Sequence, residues 1–253
     1  MKNQYNLIIS FLVILLLCLG ACSEDSADKN FQSPTESGIG QGGSLARFTI
    51  AGDYLYTVST QKMTAYNISN ITPQKVSETI IGAAIETIFP YQDKLFIGSQ
   101  TGMYIYSRLN PAQPTFISLY EHIQSCDPVV AQGNYAYVTL RSGTDCRFGS
   151  NLLDVIDISN PSVPSIVNSY QMLNPHGLGV DGTLLFVCEG EHGIKIYDIT
   201  DPTVPELLQF IEDFHAYDVI PRNGVLIITG EDGIFQYQYN QENQTMTYLS
   251  RLE

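Results

Sequence analysis

KMTAYNISNITP, residues 62–73, decides the fold because the chain says it again. It returns as GMYIYSRLNPAQP (102–114), as NLLDVIDISNPSVP (151–164) and as GIKIYDITDPTVP (193–205). GIFQYQYNQENQ (233–244) is a degraded fifth copy. A period of about 40 residues, built from strand and turn signals, indicates a radial or solenoid β-array.

Two positions give the period independently. Tyr66, Tyr106, Ile156, Tyr197 and Tyr237 are spaced by 40, 50, 41 and 40 residues. Tyr56, Phe96, Tyr137, Phe186 and Ile227 are spaced by 40, 41, 49 and 41. Both series place one long step in the third copy, so an insertion of about nine residues lies between Leu140 and Asn151. Each copy divides into four short strands; in the fourth they are HGLGVDG, TLLFVCEG, GIKIYDIT and PELLQFIED. These are runs of β-branched and aromatic residues bounded by Gly, Asp and Pro. Asp181-Gly182 and Asn223-Gly224 suit hairpin turns that need positive φ. Asp201-Pro202 and Val204-Pro205 break the chain before the fourth strand, where proline fits a bend beside an outer edge. After residue 45 no segment carries a 3.6-residue apolar period.

The expected fold is therefore all-β: a β-propeller of five four-stranded blades, with an open β-solenoid array as the alternative. One blade cannot bury both of its faces, so neighbours must cover each other. No strand in the first or last copy is visibly exchanged to close a ring.

AYV (136–138) with LDVIDISNP (153–161), and LFV (185–187) with GIKIYDITDP (193–202), resemble the LVIVD-repeat family of bacterial and archaeal surface proteins. Two copies match well, two moderately and the last poorly. The resemblance implies a propeller-like fold and a surface location, and it implies no activity.

The N-terminus addresses the protein. Lys2 precedes an apolar run, 7–17, broken by Ser10, and Leu19-Gly20-Ala21-Cys22 has the form of a bacterial lipobox. The run is short for a membrane span of about 20 residues. Residues 1–21 are expected to be a signal peptide, Cys22 the lipid-attachment residue, 22–43 a flexible acidic, Ser- and Gly-rich tether, and 44–253 the propeller. The tether has too little apolar surface to fold alone. Glu24 and Asp25 resemble the acidic surface-export signal of Bacteroidetes lipoproteins. An outer-membrane, surface-exposed lipoprotein is the expected location, with the membrane met through the lipid alone.

Charge excludes some partners. The formal net charge is −14, and removing the leader takes Lys2 and no acid, giving −15. Such a chain repels nucleic-acid phosphates and anionic headgroups. The expected state is a monomer with a protein or glycan partner. Sixteen tyrosines mostly occupy repeat positions and belong to blade packing. In an exported protein Cys126 and Cys146 can pair across the third blade and its insertion; non-reducing peptide mapping would find them joined. Cys188, inside LLFVCEG, is a small buried hydrophobe.

Ten residues before the repeat aromatic stand Ala46, Glu86, Asp127, His176 and Tyr217, with His215 and Asp218 beside the last. In a propeller the first strand lines the channel, so these residues would ring one mouth. Glu86, Asp127, His176 and His215 are candidate ligands of a divalent cation; a polar channel entrance accounts for the same pattern. Arg141 and Arg147 on the insertion, with Tyr217 and Asp218, are candidate ligand-binding residues. No cofactor is otherwise expected. Recognised catalytic signatures are missing from the sequence, and acids in turns such as Glu189-Gly190-Glu191 and Glu231-Asp232-Gly233 are expected to be solvated. A non-catalytic surface binding scaffold is the leading function. The alternative is a propeller hydrolase or lyase with a channel-mouth metal.

Overall fold

The computed structural model describes residues 39–40, 42–121, 128–143 and 150–253. These form five antiparallel sheets and no helix. Blade one comprises β2 (Phe48–Ala51), β3 (Tyr54–Val58), β4 (Lys62–Asn67) and β5 (Gln74–Ile80), with a two-residue β1 (Ile39–Gly40) paired to the inner edge of β2. Blade two is β6 (Ile85–Tyr91), β7 (Lys94–Ser99), β8 (Gly102–Ser107) and β9 (Thr115–Glu121). Blade three is β10 (Val129–Gln132), β11 (Tyr135–Leu140), β12 (Leu152–Asp157) and β13 (Ser165–Gln171). Blade four is β14 (Leu178–Asp181), β15 (Leu184–Cys188), β16 (Ile194–Asp198) and β17 (Glu206–Ile211). Blade five is β18 (Asp218–Arg222), β19 (Val225–Gly230), β20 (Gly233–Asn240) and β21 (Thr245–Leu252).

The repeated phrase has a physical reason at each of its marks. A bulge interrupts the pairing of third and fourth strands at the same place in every blade: Ala65/Tyr66, Ile105/Tyr106, Val155/Ile156, Ile196/Tyr197 and Gln236/Tyr237. The repeat aromatic is thus the residue at which the strand twists outward. The polar residue that ends the third strand caps the following turn. Ser69 N donates to Asn67 Oδ1 (2.9 Å), Leu109 N to Ser107 Oγ (3.3 Å), Ser159 N to Asp157 Oδ1 (2.7 Å), Thr200 N to Asp198 Oδ1 (2.7 Å) and Glu242 N to Asn240 Oδ1 (2.8 Å). These are side-chain turns of the kind Asn, Asp and Ser favour. Hydrogen bonds from Ser159 and Thr200 hold the Asp157 and Asp198 carboxyls below their ordinary range. The Asn223-Gly224 hairpin has both residues at positive φ, 51° and 75°, as that turn requires.

The proline turn locks one blade to the next. Tyr56 Oη donates to Pro111 O (2.8 Å), Ser118 Oγ to Pro161 O (2.5 Å) and Tyr137 Oη to Pro202 O (3.1 Å), each from one blade to its successor. Burial from water pushes the Tyr56 hydroxyl up to about 12.

Four apolar cores lie between blades one and two, two and three, three and four, and four and five. Among the described residues no such core joins blade five to blade one. The second strands record the difference. In β7, β11 and β15 both faces are covered, whereas β3 and β19 are buried on alternate residues. Where blades two to five place Ile97, Val138, Val187 and Ile228, blade one has Thr57. Where blades one to four place Ala65, Ile105, Val155 and Ile196, blade five has Gln236. Polar residues on the two end faces suit terminal repeats that meet solvent. The five blades therefore form an arc whose ends are not sealed by a blade–blade core. Phe48 on the inner strand of blade one is 57% exposed, and Ile234 on blade five is 37% exposed.

Something else connects the ends. Residues 42–46 run along the inner strands before β2. Ser44, 1% exposed, accepts at Oγ the Leu178 N–H of blade four (2.7 Å) and donates from Oγ to Asp218 Oδ1 of blade five (3.2 Å). Leu45 N donates to Asp218 Oδ2 (3.3 Å), and Ile88 N of blade two donates to Ala46 O (3.0 Å). No Cβ fits at Gly43: it would stand 1.9 Å from Asp218 Oδ2. Through Ser44, Leu45 and Ala46 this strap touches three other blades.

Candidate functional site

Three blades converge where the sequence places His176, Tyr217, His215 and Arg141. The lead-in to β14 carries His176, and the lead-in to β18 carries His215 and Tyr217. The turn at Gly190 ties the two together: Gly190 N donates to Ala216 O (3.0 Å) and Ala216 N to Gly190 O (2.9 Å). Gly190 has φ of 59°, and a Cβ there would lie 2.8 Å from His176 Nε2, so glycine lets the imidazole edge rest on the backbone. From blade three, Thr139 Oγ1 donates to His176 O (2.6 Å).

Both imidazoles pack on Tyr217. The ring centroids of His176 and Tyr217 are 5.2 Å apart at 42°, and those of His215 and Tyr217 are 6.2 Å apart at 21°. Burial first, and the Arg141 charge second, push His176 down to about 4, so it is neutral at physiological pH. Glu231 Oε2 accepts from Tyr217 Oη (3.4 Å) and lies 3.2 Å from His215 Nδ1. The latter contact is close enough for an ion pair but misaligned for a hydrogen bond, which leaves Nδ1 without a hydrogen-bond partner. Asp232 Oδ2 is 3.8 Å from the same nitrogen. Desolvation, and then the Glu231 carboxylate, raise the Tyr217 hydroxyl. The result is an aromatic and imidazole platform, half-exposed, rimmed by carboxylates.

The remaining candidates separate from this platform. Glu86 accepts from Gln100 Nε2 (3.0 Å) within blade two. Among the described residues no group of three or more His, Cys, Asp or Glu side chains is placed to hold a metal ion. Asp127, Arg147, Cys126, Cys146 and Cys22 lie outside the described residues. Asp218 is not part of an open mouth, because the strap occupies both of its oxygens. Burial raises its carboxyl to about 6, against the lowering effect of the N–H groups of Leu45 and Val219. Cys188 is buried and unpaired, with its thiol pushed up by burial.

Glu231 is exposed, as expected of an acid in its turn, and rims the platform from the solvent side. One acid expected in solvent is not there. Glu189 is fully buried, accepts from Leu173 N (3.1 Å) and Asn174 N (2.8 Å), and pairs with Lys195 Nζ at 2.5 Å. Lys195 also lies over the Phe210 ring, 5.3 Å from its centroid. The sequence carries one signal for this pair: Lys195 occupies an inward strand position. The partner loop, Leu173–Asn174, comes from an earlier blade junction and gives no local sign.

The LVIVD repeat model matches residues 125–172, which is the third copy. No curated protein matches the chain. Among solved structures, a functionally unknown protein from Desulfotomaculum acetoxidans is 14% identical, with a TM-score of 0.69, over 83% of this chain and 70% of that one. A protein from Lactobacillus plantarum is 13% identical, with a TM-score of 0.65, over 80% and 72%. A 6-phosphogluconolactonase candidate from Bacteroides fragilis is 9% identical, with a TM-score of 0.61, over 80% and 68%. These neighbours are β-propellers, and the likeness is one of fold. The matched region accounts for about 70% of each of the first two chains.

Proposed function

We propose that this LVIVD-repeat-bearing chain is a lipid-anchored, non-catalytic binding module whose ligand is a glycan. The carrying observation is Tyr217, packed by His176 and His215 and rimmed by Glu231 and Asp232. A tyrosine face suits the C–H side of a sugar ring. Carboxylates and a neutral imidazole accept and donate hydrogen bonds to hydroxyls without demanding a charged ligand. The lipobox at Cys22 and the polar, Ser- and Gly-rich composition of 22–43 support presentation away from the bilayer; a Gly/Ser-rich chain of about 20 residues has a mean reach of roughly 25 Å.

The experiment is a glycan array with residues 23–253, followed by titration of the strongest sugar. Tyr217→Ala should weaken that sugar at least about tenfold, as removal of a central aromatic anchor does, and His192→Ala should not. No bound glycan, or a bound glycan indifferent to Tyr217 and His176, would overturn the reading. Metal-dependent turnover of a sugar would move the protein to the hydrolase or lyase class.

A further inference from the structure

The strap and the platform share their supports. His176, Gly177 and Leu178 are consecutive, as are Tyr217, Asp218 and Val219. In each trio one residue carries the platform and another holds the strap. Leu178 N–H donates to Ser44 Oγ (2.7 Å), and Gly177 N–H donates to Tyr217 O (2.8 Å). Asp218 is clasped from two sides. A Cβ at Gly43 would meet Oδ2 at 1.9 Å, and one at Gly177 would meet Oδ1 at 2.2 Å. Removing the strap would leave the Leu178 amide and the Asp218 carboxylate in the interior without Ser44 and Leu45. Both would then need water or a backbone shift, because a buried polar group without a partner is costly.

We infer that residues 43–46 are a conformational strap that couples the chain entering blade one to the binding face. With the strap docked on Asp218 and Leu178, the His176–Tyr217 contact is held. With it displaced, that contact loosens. The strap lies between β1 and β2, so displacing it acts on the contacts at Asp218. The inference rests on the platform being the binding face, but its test needs no ligand.

The test is Ser44→Ala in the folded chain of residues 23–253, followed by amide exchange and the imidazole proton resonances. The Leu178 amide should exchange at least about tenfold faster, the effect of losing one buried hydrogen-bond partner. The His176 ring resonance should move, and that of His192, in its exposed turn, should stay. Ser44→Thr, which keeps the hydroxyl, should restore both readings. If Ser44→Ala does not fold, Asp218→Asn keeps the side-chain size, withdraws the charge and should move His176 in the same sense. Unchanged His176 resonances in the folded variants would overturn the strap. If His176 responds while Tyr217→Ala leaves glycan capture intact, the strap stands and the platform fails as the binding face.

Discussion

Ile194 and Ile234 are the same residue at the same repeat position, one in blade four and one in blade five. Each sits three residues before its repeat aromatic, and their second-strand partners are Cys188 and Thr229. Ile194 is fully buried against blade five, in a core with Ile228 and Phe235. Ile234 turns the equivalent face to the end of the arc and is 37% exposed. A sealed ring of five blades would make the two positions alike; the open arc makes them different. Truncating a fully buried isoleucine to alanine costs about 2–5 kcal/mol, as lost burial plus a cavity. At Ile234 part of the side chain already meets water and no facing blade remains to form a cavity wall, so about 1 kcal/mol is expected. In a domain of this size about 1 kcal/mol moves the melting temperature by roughly 2–4 °C. Ile194→Ala should therefore lower it by about 4–20 °C, and Ile234→Ala by about 2–4 °C. Thermal melts followed by far-UV circular dichroism, with residues 23–253 at low concentration, measure both. Equal drops would show that blade one covers blade five in solution, and the arc would be wrong.

Asp218 gives a pH signature. Its folded carboxyl is raised to about 6 against an ordinary 3.8, so the folded state binds the proton more tightly than the unfolded chain does. The stability this provides is present below about pH 4 and is lost as pH rises through about 6. Lowering the pH from 7 to 5 should therefore raise the wild-type melting temperature relative to Asp218→Asn, whereas parallel curves would refute the assignment. At the other end of the chain, Cys22→Ala should leave an unprocessed precursor without lipid label; a normally lipidated, membrane-fractionating variant would rule out the lipobox.

The blades were legible because one repeat fixes many residues at once. Period, strand count and the long step between the second and third strands of blade three follow from aligning copies, the burial of Cys188 follows from its apolar run LLFVCEG, and the structure reproduces each. Arc closure was harder, though its evidence was in plain view. Thr57 and Gln236 break an otherwise apolar column, but their meaning depends on which face of the strand looks to which neighbour. The burial of Asp218 is hidden from the sequence for a different reason. Its partner Ser44 is 174 residues away, and nothing local marks a carboxylate that will be clasped by two glycines. Glu189 fails in the same way: an acid in a Gly turn ordinarily meets water, and only the tertiary approach of Lys195 and the Leu173–Asn174 amides makes burial tolerable.

The turn caps also decide where function is to be sought. Asp157 and Asp198 belong to the phrase by which the repeat is recognised, yet their carboxylates are bound to the next turn's amides and serve the fold. The repeat aromatics serve the bulges and the blade cores. Positions that agree across copies are thus accounted for by architecture. The position ten residues before the aromatic behaves in the opposite way, since five copies place Ala46, Glu86, Asp127, His176 and Tyr217 there. A repeat fold that needed one chemistry at that level would show it five times. The backbone is served there by any residue, as at Ala46, whose carbonyl accepts from Ile88. The side chains are consequently free of the repeat's demands. His176 and Tyr217, brought into contact from two adjacent blades, are where that freedom produces an aromatic and imidazole surface.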